Sequence, residues 1–177
     1  IQQYFQHMFY MSEEQKRIHL MYLNAADSER RTILSSCFLP SHLDLMKELR
    51  SKPKNGIWMI VGYSGYMGTM KGVDQAKQIA EESGLKYELR STRTYEEMIR
   101  TLGEFEGLIF TPQMEDTCPR LTIEAKLLGC KLIVNENVQH IEEEWWDKPI
   151  ENVESYIRSR PDYFWRVIDG VESSFHN

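Results

Sequence analysis

Four short strand-like runs, separated by segments with helical periodicity, constrain the fold of this chain more than any other feature. The runs cover 57–61, 86–90, 107–111 and 131–134, and short turns join them to the helical segments. Strands that read as unbroken apolar runs, such as IWMIV and KLIV, are typical of parallel sheets that are buried on both faces. The alternation therefore predicts an α/β fold, with a parallel sheet of at least four strands and helices on both faces.

Local signals place the helices between these strands. Thr94, with Glu97 three residues later, forms a capping box, which predicts a helix over about 95–103. Gly84 and Gly129 are predicted to end helices, because glycine readily adopts the left-handed conformation that follows a helix. The strands and helices thus alternate with short connections, as a doubly wound sheet requires.

The amino-terminal third of the chain has a less regular pattern. Ser12 and Ser41 are predicted to cap two helices, with a strand-like run over 33–38 between them. A turn-rich stretch then precedes the regular alternation. We therefore divide the chain into a connecting segment that includes the first strand and helices, 1–52, and a main domain, 53–177, whose last part is helical.

Composition excludes several classes of function. The chain has 177 residues and a formal net charge of −6, whereas a nucleic-acid-binding protein usually presents a basic surface. No apolar run reaches the ~20 residues that a transmembrane helix needs. The three cysteines lack CxxC spacing. We expect no nucleic-acid partner, no transmembrane segment, and a cytoplasmic protein, or one peripheral to a membrane through the rest of a longer polypeptide.

The carboxyl ends of the predicted strands define the candidate site, because open parallel sheets bind ligands there. The loop after the first run is rich in glycine, which lets the backbone approach a ligand closely. Lys71 adds a cation at the predicted start of the next helix. That placement works against the helix dipole, so a bound phosphate would compensate for it. The alternative is a flexible turn with a solvated lysine. The candidate contacts from this loop are Tyr63, Ser64, Gly65 and Lys71.

The same loop permits a second interpretation. Gly62, Gly65 and Gly68 have a spacing similar to the dinucleotide-binding turn of nicotinamide-dependent oxidoreductases. Such a turn needs an apolar helix packed behind it, whereas the polar stretch 71–77 follows here. The Tyr-x-x-x-Lys pair of short-chain dehydrogenases is also absent from the sequence. NAD binding is therefore an alternative that depends on the glycine spacing alone.

A second constellation follows the run 107–111, where an acidic loop leads into a helix. Asp116 lies in the loop, and Glu124 lies on the helix, eight positions later. Their carboxylates can accept hydrogen bonds from sugar hydroxyls, and the amides at the helix start can bind a diphosphate. The alternative is that Asp116 caps the helix and Glu124 is a solvated surface acid. The candidate contacts from this segment are Asp116, Thr117, Cys118, Pro119, Arg120, Leu121 and Glu124.

Together the two motifs resemble the carboxyl-terminal, nucleotide-sugar-binding domain of family-4 retaining glycosyltransferases of the GT-B type. The family signature is an acid, seven residues, a glutamate followed by alanine, and a glycine before an apolar strand. A Lys-Gly pair follows the first strand of the family's domain. The resemblance covers roughly residues 33–175. The matching residues are Lys71, Gly72, Asp116, Glu124, Ala125 and Gly129.

The resemblance implies a Rossmann-like domain that forms the donor-binding half of a two-domain enzyme. In the family the second acid, here Glu124, holds the donor's ribose, and the first acid, here Asp116, contacts the transferred sugar. Lys71 would stabilise the charge of the departing diphosphate. The resemblance further implies a UDP- or GDP-sugar as donor, an amino-terminal acceptor-binding domain as partner, and neither a metal ion nor another cofactor.

Four positions depart from the family pattern. Asp116 replaces the usual glutamate, and Cys118-Pro119 replaces a Phe-Gly pair. Tyr63 stands where the family has a basic residue just after the glycine of the first strand. The Tyr63 departure favours an alternative function, a non-catalytic module of the same fold that binds a nucleotide sugar or another protein.

Overall fold

The computed structural model describes residues 7–116 and 119–173, and this part of the chain is an α/β protein with a Rossmann-like fold. Its strands are β1 (Met8–Tyr10), β2 (Arg31–Ile33), β3 (Trp58–Val61), β4 (Tyr87–Arg90), β5 (Gly107–Phe110) and β6 (Lys131–Val134). Its helices are α1 (Glu13–Leu23), α2 (Pro40–Arg50), α3 (Gly65–Met70), α4 (Val73–Glu82), α5 (Tyr95–Glu104), α6 (Arg120–Leu127), α7 (Ile150–Arg158) and α8 (Arg160–Ser173).

The main sheet contains four parallel strands in the order β4-β3-β5-β6. Because successive side chains of a strand point to opposite faces of the sheet, the sheet contributes side chains to two apolar cores. Leu108 and Phe110 pack on the side of α2, α5, α6 and α7, whereas Ile60 and Ile109 pack on the side of α4. The predicted parallel sheet of at least four strands, with helices on both faces, is confirmed.

The predicted capping box of α5 and the predicted glycines after α4 and α6 are also confirmed. The backbone N–H of Glu97 donates to Thr94 Oγ1 at 3.2 Å, and α5 begins at the next residue after Thr94. Gly84 and Gly129 follow α4 and α6 with φ values of 63° and 73°. Their left-handed backbones reverse the chain toward the next strand at no steric cost.

Two predictions in the amino-terminal third are wrong. Ser41 does not cap α2, because the helix begins one residue earlier at Pro40, whose fixed φ and missing N–H suit a first helical position. The strand predicted over 33–38 is instead β2, which ends at residue 33. Ser35 has a left-handed φ of 61°, which interrupts the extended backbone that a longer strand needs.

A separate two-stranded parallel sheet, β1 with β2, precedes the main sheet. Ser12 caps α1 as predicted, since its Oγ accepts a hydrogen bond from the Gln15 N–H at 3.0 Å. The same hydroxyl donates to Gln139 Oε1 at 2.6 Å and so ties α1 to the main domain. The boundary between 52 and 53 stays a prediction. None of the described helices is long and apolar enough to cross a lipid bilayer.

Candidate functional site

The strand order reverses at the carboxyl edge of the main sheet, between β3 and β5. The chain runs from β3 to β4 on one side and from β5 to β6 on the other, which opens a crevice between the diverging loops. Backbone hydrogen bonds join three of these loops. The Gln113 N–H donates to the Met70 carbonyl at 2.9 Å, and the Asp116 N–H donates to the Asn137 carbonyl at 2.7 Å.

Lys71 and Asp116 form an ion pair at this edge. Lys71 Nζ lies 2.6 Å from Asp116 Oδ2 and 5.7 Å from the centre of the Phe110 ring. The side chains are only 29% and 14% exposed, so salt screens their attraction less than it would screen a pair on the open surface. The fold thus brings together two predicted site residues that are 45 positions apart in the sequence.

The predicted helix start near Gly72 is confirmed, because α4 begins at Val73 with Gly72 as its N-cap. Lys71 lies just before that start, as the C-cap of the short helix α3, and its N–H bonds to the Met67 carbonyl at 2.9 Å. The carboxyl end of α3 favours a cation, whereas the amino end of α4 favours an anion, so Lys71 lies between two helix ends of opposite preference. Ser64 and Gly65 form the exposed start of α3, and α4 begins after Gly72.

A pocket of about 340 Å³ opens on the same edge, within the size range of small-molecule sites. Its walls come from the end of β3, the loop after β4, and the first turns of α5 and α6. Four residues predicted from the sequence line it: Tyr63, Arg120, Leu121 and Glu124. Ser64, Gly65, Lys71, Asp116 and Pro119 are not among the described residues that line this pocket.

Glu124 is buried in the wall of this pocket, with 2% of its surface exposed. The Tyr95 hydroxyl donates to Glu124 Oε1 at 2.7 Å, and Arg120 Nε lies 3.8 Å from the same oxygen. Burial raises the pKa of the Glu124 carboxyl, and the Tyr95 hydrogen bond and the Arg120 charge oppose that rise. The alternative of a solvated surface acid is wrong, because α5 packs over this face of α6.

Asp116 does not stand at the N-cap of α6, because that position is Pro119. The Asp116 carboxylate accepts a hydrogen bond from Lys71. Two further predicted contacts, Thr117 and Cys118, lie outside the described residues.

Arg120 is held between two aromatic rings at the start of α6. Its guanidinium carbon lies 4.5 Å from the centre of the Phe38 ring and 5.3 Å from that of Tyr95. Arg120 Nη2 donates to the Tyr95 hydroxyl at 3.3 Å. Such cation–π contacts attract the guanidinium to the rings, and 44% of the Arg120 side chain stays exposed.

Residues of this site that the sequence interpretation missed include Phe38, Ser91, Thr92 and Tyr95. Tyr95 had a usable signal, because it is the first residue of a capped helix that follows the loop at the end of β4. Ser91 and Thr92 lie in that loop and line the pocket. Phe38 had no usable signal in the sequence, since it comes from the segment before the main sheet.

His140 is fully buried, and it lies close enough to Asp116 of the Lys71–Asp116 ion pair to feel its charge. Neither of its ring nitrogens has a hydrogen-bond partner among the described residues. Burial lowers its pKa to about 4, against the opposing charge of Asp116, so the ring is neutral at neutral pH. The ring packs against Trp145, with 5.6 Å between the ring centres.

No model of a known protein family matches this chain, and no curated protein matches it either. The glycosyltransferase resemblance therefore depends on the two sequence motifs alone. The Rossmann-like fold does not select a function, because unrelated activities share it. Any assignment of function has to come from the residues at the carboxyl edge.

Proposed function

We propose that this chain is the donor-binding domain of a retaining glycosyltransferase that uses a UDP- or GDP-sugar. One observation carries the proposal: the buried Glu124 carboxylate in a pocket of nucleoside size, on the same sheet edge as the Lys71–Asp116 ion pair. Carboxylates accept hydrogen bonds from ribose and sugar hydroxyls, and a lysine meets a phosphate as a point charge.

The nucleoside of the donor occupies the pocket in this proposal. Glu124 accepts hydrogen bonds from the ribose hydroxyls, and the Tyr95 hydroxyl holds its carboxylate in place. A carboxylate fixed in a site of low dielectric forms stronger hydrogen bonds than one in water. The other wall of the pocket comes from Tyr63 and the loop after β4.

Transfer breaks the bond between the anomeric carbon and the diphosphate oxygen, which leaves with the electron pair. The oxygen of an acceptor hydroxyl bonds to the anomeric carbon, and its proton passes to the departing phosphate. Lys71 stabilises the charge that grows on the diphosphate, an interaction that strengthens in the transition state. Asp116 contacts the sugar hydroxyls. An amino-terminal acceptor-binding domain supplies the acceptor.

A second candidate function is a non-catalytic module that binds a nucleotide sugar. Two observations favour it: Asp116 already neutralises Lys71 at 2.6 Å, and Tyr63 lines the pocket where the family has a basic residue. The two functions differ in the fate of the donor. The two-domain enzyme, given an acceptor hydroxyl, releases nucleoside diphosphate from the donor as the sugar is transferred, whereas the module binds the donor and leaves it intact.

A thermal-shift panel tests the binding that both functions require. We expect UDP or GDP, and the matching nucleotide sugar, to raise the melting temperature, because a ligand of the folded state stabilises it. At ~100 times the dissociation constant the gain is about 2.7 kcal/mol. NAD serves as the control ligand. A rise with NAD alone, or no rise with any nucleoside diphosphate at millimolar concentration, would contradict the proposal.

A further inference from the structure

Arg120 is the cation of the pocket whose charge is least neutralised. Its nearest carboxylate, Glu124, lies 3.8 Å from Arg120 Nε, whereas Lys71 Nζ lies 2.6 Å from Asp116. Arg120 lines the pocket, and 44% of its side chain remains exposed. An anion that enters the pocket therefore binds Arg120 at a smaller free-energy cost than it binds Lys71, because no close ion pair with Arg120 has to be broken.

We propose that Arg120 binds the α-phosphate of the donor, the phosphate attached directly to the ribose. This inference rests on the proposed function, in which Glu124 holds the ribose. Arg120 and Glu124 are four positions apart on α6, and side chains with that spacing lie about 5–6 Å apart on one face of a helix. In a nucleotide the α-phosphate is joined to the ribose through C5′, so both groups fit neighbouring side chains.

The two aromatic rings prepare Arg120 for this contact. Contacts with the Phe38 and Tyr95 rings restrain the guanidinium before any ligand arrives. A guanidinium has five N–H donors, and its described hydrogen bonds use only one of them, toward the Tyr95 hydroxyl. The remaining donors include a pair that matches two phosphate oxygens, which a lysine ammonium cannot match in the same way.

Arg100 provides a matched control outside the pocket. It lies on α5, and its guanidinium is paired with Glu96 on the same helix. Arg100 is not among the described residues that line the pocket. Its replacement changes the net charge of the chain by the same amount as the replacement of Arg120.

The test is a calorimetric series with the nucleoside, its 5′-monophosphate and its 5′-diphosphate, in the uridine and the guanosine series, on the same chain. For Arg120→Gln we expect both phosphorylated ligands to bind about tenfold more weakly or worse, with nucleoside affinity unchanged. Lys71→Ala should weaken the diphosphate alone. Arg100→Gln should leave all three affinities within about twofold of the parent.

Three outcomes would overturn the inference. If Arg120→Gln binds the monophosphate as well as the parent does, Arg120 makes no phosphate contact, and the proposed function still stands. If it weakens the nucleoside as much as the monophosphate, Arg120 only supports the pocket wall. If the parent binds none of the three ligands in either series, the proposed function fails, and this inference fails with it.

Discussion

At the scale of single residues, burial decides which charges the site can use. Glu124 is nearly inaccessible, yet a tyrosine hydroxyl and an arginine compensate its charge. Its raised pKa means that the folded state binds a proton more tightly than the unfolded state does. The carboxyl therefore contributes stability at low pH that is lost as the pH rises through its folded pKa.

The buried His140 gives the opposite pH dependence. Its pKa falls from 6.5 to about 4 on folding, so its contribution to stability is present above pH 6.5 and is lost as the pH falls toward 4. The loss is on the order of 3 kcal/mol. We expect His140→Phe, which keeps a ring beside Trp145, to remove this acid-induced loss. Denaturant unfolding of the parent and the variant at pH 7 and pH 4 measures it, and equal losses in both proteins would contradict the assignment.

Gly72 is the second half of the Lys-Gly pair, and its backbone explains why glycine stands there. It has a φ of 69°, and a Cβ at this position would lie 1.6 Å from the Thr111 carbonyl oxygen. We expect Gly72→Ala to cost well over the ~1–2 kcal/mol of a left-handed alanine. Gly65→Ala is the control, because Gly65 has a φ of 58° with nothing near its Cβ position. Equal free energies of unfolding for the two variants would refute the steric explanation.

At the scale of secondary structure, the main-domain helices follow from local signals. The capping box of α5 and the glycines after α4 and α6 act within one turn, so the printed sequence contains all the information that they need. The helix α3 could not be predicted in this way. Its six residues include two glycines, and contacts with the loop after β5, such as the Gln113–Met70 hydrogen bond, help to hold it.

A pair of hydroxyl substitutions tests the helix starts as the structure has them. Thr94→Ala removes the side-chain cap of α5 and should lower the free energy of unfolding by about 1 kcal/mol. Ser41→Ala should change it by less than about 0.5 kcal/mol, since Ser41 lies inside α2 and caps nothing. Denaturant titration of the two variants measures both values. A larger loss of unfolding free energy for Ser41→Ala than for Thr94→Ala would show that Ser41 caps α2, as the sequence predicts.

At the scale of the whole molecule, the chain combines two sheets of unequal size. The four-stranded sheet lies between two apolar cores, whereas helix α1, which connects β1 to β2, has no buried residue. A two-stranded sheet with little core is marginally stable by itself. The interactions of Ser12 with Gln139, and of the Glu13 N–H with Glu143, therefore hold this unit against the main domain.

Hydrogen exchange should report this difference in stability. We expect the amides of β1 and α1 to exchange much faster than those of β5, all of whose residues are buried. Local opening needs less free energy where few apolar contacts have to break. Mass spectrometry of peptides from residues 8–23 and 107–110 makes the comparison. Equal protection of the two segments would mean that the amino-terminal unit unfolds only with the main domain.

The sheet and its carboxyl edge could be predicted because they depend on periodicity and chain order, which any sequence displays. The details of the site depend on tertiary contacts that lie far apart in the sequence. The pairing of Lys71 with Asp116 and the clamp of Phe38 on Arg120 each join distant segments. No local pattern records such contacts, so the sequence indicated which residues have suitable chemistry and not which of them meet.

The affinity of the Glu124→Ala chain for the nucleoside diphosphate that binds the parent tests the central claim most directly. If Glu124 holds the ribose, calorimetry should find the diphosphate and the free nucleoside each bound about tenfold more weakly or worse, because both contain the ribose. The circular dichroism spectrum of the variant should match that of the parent. A well-folded Glu124→Ala chain that binds both ligands as tightly as the parent would show that this pocket is not the donor site.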